Sequence, residues 1–188
     1  MQTIQDFQPV KTIVLVGMMG AGKTAIGRRI AKRLNLDFID ADDEIETAAG
    51  CAIEDIFKQH GEAEFRDGER RVIKRLLQQP VHVLATGGGA FMDAETRAEI
   101  QNNSVSVWLR AEFDVLWRRV SRRSHRPMLK TDNPRETLAA LIEKRYPTYA
   151  TANITVDSRD APPEETVDRV IAALQKYDSA GKKSNAIS

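Results

Sequence analysis

A single cysteine, Cys51, stands among 188 residues, which excludes an internal disulfide framework and any zinc site built on several cysteines. No apolar run approaches the roughly 18 to 20 residues of a membrane span. The opening MQTIQDFQPVK has neither the basic start nor the apolar stretch of a secretory leader, so a soluble, reducing, cytoplasmic setting is expected. Charge of one sign is also missing: 28 basic residues face 27 acidic ones, a formal net charge of +1. Such a chain has no global field to carry it onto nucleic acid or a membrane surface. No internal repeat is visible, and nothing advertises a large apolar interface, so a monomer is expected.

What is present is enough for one domain. At roughly 150 residues per domain the length fits a single unit, over 1–177, able to bury a core without staples. Near-neutrality hides a local asymmetry. Between Asp37 and Glu69 twelve acidic residues face two basic ones, net −10; between Arg110 and Arg145 ten basic residues face five acidic ones, net +5. Many of these charges belong to solvated helix faces. The sharper reading is that the basic stretch meets an anion while a few of the carboxylates hold a cation.

Strand-like and helix-like segments alternate along the chain. Strands are expected at 12–16, 38–40, 81–86, 104–109 and 154–156. Helices are expected at 23–34, 43–49, 53–60, 62–78, 93–101, 113–122, 135–149 and 163–176, with Gly50 and Gly61 as stops and Asp93 as a cap. The stretch 124–134 lacks an apolar period and contains two prolines, so it reads as an exposed loop; 178–188 is small and polar and reads as a disordered tail. Strands separated by helices make an α/β protein with a parallel sheet covered on both faces. Such sheets bind ligands at the carboxyl ends of their strands.

The strongest signal is Gly17-Met-Met-Gly20-Ala21-Gly22-Lys23-Thr24, a full G-x-x-x-x-G-K-[ST] match between a buried strand and an amphipathic helix. Its glycines let successive backbone N–H groups point at one anion, and the helix N-terminus adds about half a positive charge there. In this loop type the lysine reaches the β- and γ-phosphates and the threonine hydroxyl ligates Mg²⁺. A nucleoside triphosphate is the implied ligand. The guanine-specific N-K-x-D loop of switch GTPases is absent.

An acceptor for the phosphoryl group is sought at the other strand ends. Asp40 and Asp42 follow the second strand, spaced so that one could hold Mg²⁺ and the other accept a hydrogen bond from an attacking hydroxyl. An acidic pair at a helix start also serves as a cap, a role best suited to Asp43. Gly87-Gly88-Gly89 after the third strand would let a substrate lie against bare backbone, unless it is only a turn. Arg66 could fork onto a substrate carboxylate or form a surface ion pair, and Arg145 is a second candidate. Arg126, in the period-free loop, suits a lid closing over phosphates.

Together these segments resemble shikimate kinase. The resemblance is carried by GMMGAGKT at 17–24, FIDADDEIE at 38–46, IFKQHGEAEFRDGE at 56–69, ATGGGA at 85–90, RPML at 126–129, EKRYPTYA at 143–150 and VDSRDAPPE at 156–164. It implies a three-layer P-loop kinase fold, a five-stranded parallel sheet of order 2-3-1-4-5, with a substrate-binding segment at about 40–70 and a mobile lid at about 124–134. It implies transfer of the terminal phosphoryl group of ATP, with Mg²⁺, to the 3-hydroxyl of shikimate.

Carried onto this sequence, the resemblance gives Lys23 the transferred phosphate, and gives Mg²⁺ to Thr24 and, through water, Asp40. Gly20, Ala21, Gly22, Lys23, Thr24 and Ala25 form the nucleotide loop. Asp42 holds the attacking hydroxyl as candidate base. Arg66 and Arg145 clamp the shikimate carboxylate, and Gly87, Gly88 and Gly89 present backbone to the ring. Arg126 is the lid arginine, while Arg119 stacks on adenine and Ser158-Arg159 cover its edge. Ala25 and Ala41 replace small hydroxyl residues frequent in the family. Rival readings are a kinase of another small hydroxylated acid such as gluconate, and an ATP-binding regulator without catalysis.

Overall fold

Each short apolar run is followed along the chain by a helix, and the runs pair into one sheet. A computed structural model describes residues 7–122 and 131–185 of the chain. The strands are β1 (Thr12–Val16), β2 (Phe38–Asp40), β3 (Val83–Ala85), β4 (Ser104–Arg110) and β5 (Ile154–Asp157). Their order is β2-β3-β1-β4-β5, with every pairing parallel, as the resemblance implies. The helices are α1 (Lys23–Leu34), α2 (Ala41–Ala49), α3 (Ile53–Leu76), α4 (Ala94–Asn103), α5 (Phe113–Ser121), α6 (Pro134–Tyr149) and α7 (Pro163–Asn185). They cover both faces of the sheet, the arrangement that buries a parallel sheet.

All five residues of β1 are buried, as a central strand flanked by β3 and β4 requires. The α1 stripe packs inward through Ile26, Ile30, Ala31 and Leu34. Its outer face carries arginines that tie it to α7, through Arg29–Glu164 and Arg33–Asp168. Among the described residues no helix is long and apolar enough to cross a membrane.

Several boundaries differ from the sequence reading. α2 starts at Ala41, so the residue capping it is Asp40, whose side chain accepts from the Asp42 N–H; Asp43 is an exposed first-turn residue and not the cap. The expected helices 53–60 and 62–78 are two limbs of α3 meeting at Gly61, where φ is 78° and ψ is 177°. α7 continues to Asn185, so most of the segment expected to be a disordered tail is helical. A helix docked on the core extends without a new nucleation step, and Ser179 Oγ bonds back to the Gln175 carbonyl. Of the 124–134 loop, residues 124–130 lie outside the described residues.

The register sets the site. Leu15 of β1 and Asp40 of β2 both pair with Ala85 of β3, so the three strands end at one level. The chain leaving them supplies the glycine loop, the Asp40–Asp42 pair and the triple glycine, side by side.

Candidate functional site

Residues 17–24 curl because their glycines allow it. Gly17, Gly20 and Gly22 have φ of 139°, 80° and 97°, values that side chains disfavour. A Cβ on Gly17 would also come within 2.8 Å of the Leu109 carbonyl oxygen. Gly22 caps α1, so the first N–H groups of that helix open toward the loop. The Lys23 ammonium lies over the curl, donating to the carbonyls of Gly17 (2.7 Å) and Met18 (3.0 Å).

Thr24 Oγ1 donates to Asp40 Oδ2 at 2.8 Å. Two hard oxygen donors from different strand ends thus converge beside the phosphate loop. That donor set suits Mg²⁺, which takes one or two protein oxygens and fills its octahedron with water and phosphate oxygens. Asp40 Oδ1 meanwhile accepts from the Asp42 N–H at 3.2 Å, which fixes the start of α2 and so the direction of the Asp42 side chain.

Asp42 points at the triple glycine. A Cβ on Gly87 would fall 2.8 Å from Asp42 Oδ1 and 3.4 Å from Glu69 Oε1, so two carboxylates flank one glycine. Burial, and secondarily the negative charge of Asp40, raise the Asp42 pKa, while Lys23 opposes them. Glu69 is 1% exposed, and burial raises its pKa against the pull of Arg66. Arg66 Nη1 donates to Glu69 Oε2 at 2.6 Å. Glu62 adds a looser contact to the same guanidinium at 3.5 Å. The guanidinium therefore sits in a fixed pose over Gly89, where a Cβ would come within 2.4 Å of Arg66 Nη2.

A base must be ionised to accept a proton, so these raised pKa values have a measurable consequence. If Asp42 takes a proton from a bound hydroxyl, kcat/KM for that acceptor should fall on acidification through a pKa above the ordinary aspartate range, and the residual activity of Asp42→Asn should lack that limb. A wild-type limb at or below the ordinary range would contradict the buried setting of Asp42. Their contribution to stability has the opposite sign. For a carboxyl raised on folding it is fully present below the unfolded pKa and is lost as pH rises through the folded one.

Arg145 on α6 is 6% exposed, and its Nη1 would lie 3.3 Å from a Cβ on Gly88. Arg66 and Arg145 therefore cover neighbouring glycines of one loop, beside the backbone of Gly17 and Met19. Two guanidiniums over bare backbone make a receptor for a planar carboxylate.

On the other side of the phosphate loop, Arg119 donates to the carbonyls of Gly20 (3.2 Å), Ala21 (3.4 Å) and Arg159 (2.6 Å), and to Ser158 Oγ (3.0 Å). Ser158 Oγ itself donates to the Ala21 carbonyl at 2.8 Å. The Ser158 hydroxyl is thus engaged by the protein, as are the Ser158 N–H, which donates to the Arg110 carbonyl, and the Arg159 carbonyl, which accepts from Arg119. A cleft of about 940 Å³ joins these parts; its walls include Lys23, Thr24, Asp40, Asp42, Gly87, Gly88, Arg119 and Ser158. Arg126 lies outside the described residues, and with it the lid reading.

Two groups at the site escaped the sequence reading. Glu69 occupies the inward stripe with Phe65, Val72 and Leu76, all buried on α3. A carboxylate at an apolar position three residues after Arg66 was the available signal. Tyr149, fully buried on α6, follows Arg145 by four residues and shares its face.

The comparisons with known proteins agree with this geometry. The sequence profile of the family described as shikimate kinase matches residues 19–175. A shikimate kinase of Rhodopseudomonas palustris is 58% identical over 167 residues, covering 89% of this chain and 82% of the relative. One from Caulobacter vibrioides is 54% identical over 173 residues, covering 91% and 86%. Among solved structures, shikimate kinase from Acinetobacter baumannii in complex with shikimate superposes with a TM-score of 0.86 at 33% identity, covering 93% of this chain and 98% of that one. A gluconokinase from Sinorhizobium meliloti superposes at 0.61 with 20% identity, a likeness of fold alone.

Proposed function

The chain belongs to the shikimate kinase family and phosphorylates shikimate at the expense of ATP; on that premise we propose which of its residues carry the reaction, and how. The observation that supports this best is the convergence on Gly87–Gly89. Asp42 and two arginines face that loop from three elements, directly beside the phosphate loop.

In this reading the shikimate carboxylate lies between Arg66 and Arg145. Glu69 holds the first guanidinium, so little side-chain freedom is lost on binding. The ring rests on the backbone of Gly87 to Gly89, and the 3-hydroxyl meets Asp42. Binding energy from the remote carboxylate then fixes the oxygen in line with the terminal phosphorus.

The phosphate loop and Lys23 hold the β- and γ-phosphates, exchanging the Gly17 and Met18 carbonyls for phosphate oxygens. Thr24 and, through water, Asp40 would hold Mg²⁺, which when bound neutralises charge on those oxygens. Asp42 orients the hydroxyl and receives its proton as the oxygen–phosphorus bond forms and ADP leaves. Adenine packs on Arg119 beside the backbone of 158–159, and Arg126 closes over the phosphates. A cytoplasmic monomer is the working form this reading takes, with every proposed role assigned within one copy.

A coupled ADP-release assay tests the substrate. Release should require shikimate and should not be supported by gluconate; equal rates with gluconate, or release independent of any acceptor, would sink the reading. The clamp has its own test. Arg66→Ala removes a charge-assisted contact of about 1.5–3 kcal/mol, so KM for shikimate should rise roughly 10- to 150-fold while KM for ATP holds. An unchanged KM for shikimate would show that the carboxylate binds elsewhere.

A further inference from the structure

Beneath the substrate loop lies a group that no step above uses. The Tyr149 ring is fully buried, packed with Phe91, Trp108 and Tyr146 at ring-centroid distances of 6.5, 5.9 and 6.4 Å. Its hydroxyl donates to the Gly88 carbonyl oxygen and approaches the Met18 sulfur at 4.0 Å. Arg145 stands four residues earlier on the same helix face, its Nη1 over the same glycine, where a Cβ would lie 3.3 Å away. One hydroxyl therefore stands where three parts meet: the triple glycine, the phosphate loop and the second arginine of the clamp.

We propose that Tyr149 is a positioning residue for shikimate, its hydroxyl fixing the Gly88 peptide and the Arg145 guanidinium relative to each other. The geometry leaves little room for another role. A peptide in a glycine-rich turn rotates readily because no side chain resists it, and the Gly88 carbonyl is anchored here by a donor in the core. Arg145 has long, rotamer-rich freedom, and its Nη1 lies over Gly88, so a Gly88 peptide held by Tyr149 reduces what must be ordered on binding. Tyr146, three residues earlier and packed on the same Trp108, ties the helix down by donating to the Ala111 carbonyl, so α6 offers Tyr149 as part of a fixed wall. Burial pushes the Tyr149 pKa up to about 12, although Arg145 pulls it down, so the group stays a neutral donor at any working pH.

This rests on the reading of Arg145 as a carboxylate ligand, and the experiment separates the two. Tyr149→Phe keeps the ring packing and deletes only the oxygen. It should raise KM for shikimate about 3- to 10-fold, the range of one neutral hydrogen bond, with KM for ATP unchanged. Arg145→Ala should raise KM for shikimate further, and adding Tyr149→Phe to it should cost less than in the wild type, because the positioned group is gone. If Arg145→Ala raises KM and Tyr149→Phe does not, this inference fails alone. If Arg145→Ala leaves KM unchanged, the clamp reading fails first. Equal rises in KM for both substrates, or full additivity in the double variant, would mark Tyr149 as a packing residue and overturn the proposal. Should Tyr149→Phe misfold, the milder Phe91→Leu, which loosens the ring without removing the hydroxyl, supplies the comparison. A KM for shikimate as high as that of a loss of Arg145 would then speak for packing, and a near-normal one for the hydroxyl.

Discussion

Asp42→Asn should lower kcat by about two to four orders of magnitude, the usual contribution of a positioned acid–base group, while changing KM for shikimate little. Asparagine has nearly the same shape and still accepts a hydrogen bond through its carbonyl oxygen. It is not basic, so it cannot take the proton of the attacking hydroxyl. The setting favours a real proton transfer: Asp42 sits beside Asp40, buried, and shares Gly87 with the buried Glu69. Burial first, and then the negative charge of Asp40, raise its pKa, and a more basic carboxylate is a better acceptor at neutral pH. Phosphoryl transfer through a loose transition state asks less of a base, and orientation then carries more of the effect. A loss near the lower end of the range with the acid limb intact would mark Asp42 as an orienting group. Wild-type kcat in the variant would remove it from the chemistry altogether.

Lys23→Ala should reduce kcat by about 10²- to 10³-fold, the loss seen when one preorganised charge-stabilising donor is removed. Its ammonium is held over the loop by the Gly17 and Met18 carbonyls and so is poised where negative charge develops. Circular dichroism and the thermal midpoint should barely move, because the side chain is only partly buried and its hydrogen bonds run to the loop carbonyls of Gly17 and Met18. KM for shikimate should hold, since none of its contacts run through Lys23. Near-normal turnover would place the terminal phosphate elsewhere.

Much of this was legible in the sequence because the signals are local. The strand–glycine loop–helix order needs only contiguous residues, and β1, α1 and the turn between them stand where periodicity put them. The aspartate pair and the triple glycine likewise follow short apolar runs. Spacing alone could not say that Asp40 serves both as cap and as partner of Thr24, because that depends on where α2 begins. Nor could it bring the Arg66–Glu69 pair up to Asp42 and Gly87. That contact depends on how α3 kinks at Gly61 and packs its second limb against α2 and α4, which is a matter of tertiary packing. The helical continuation to Asn185 escaped for a simpler reason: small polar residues are indifferent alone, and a docked helix carries them along.

The most direct measurement is a crystal structure of the chain with MgADP and shikimate bound together. The carboxylate should be shared by Arg66 and Arg145, the ring should lie on Gly87–Gly89, and the 3-hydroxyl should sit within about 2.6–3.2 Å of Asp42 on the side of the missing terminal phosphate. A shikimate bound with its carboxylate away from both arginines, or with another hydroxyl facing Asp42, would contradict the account.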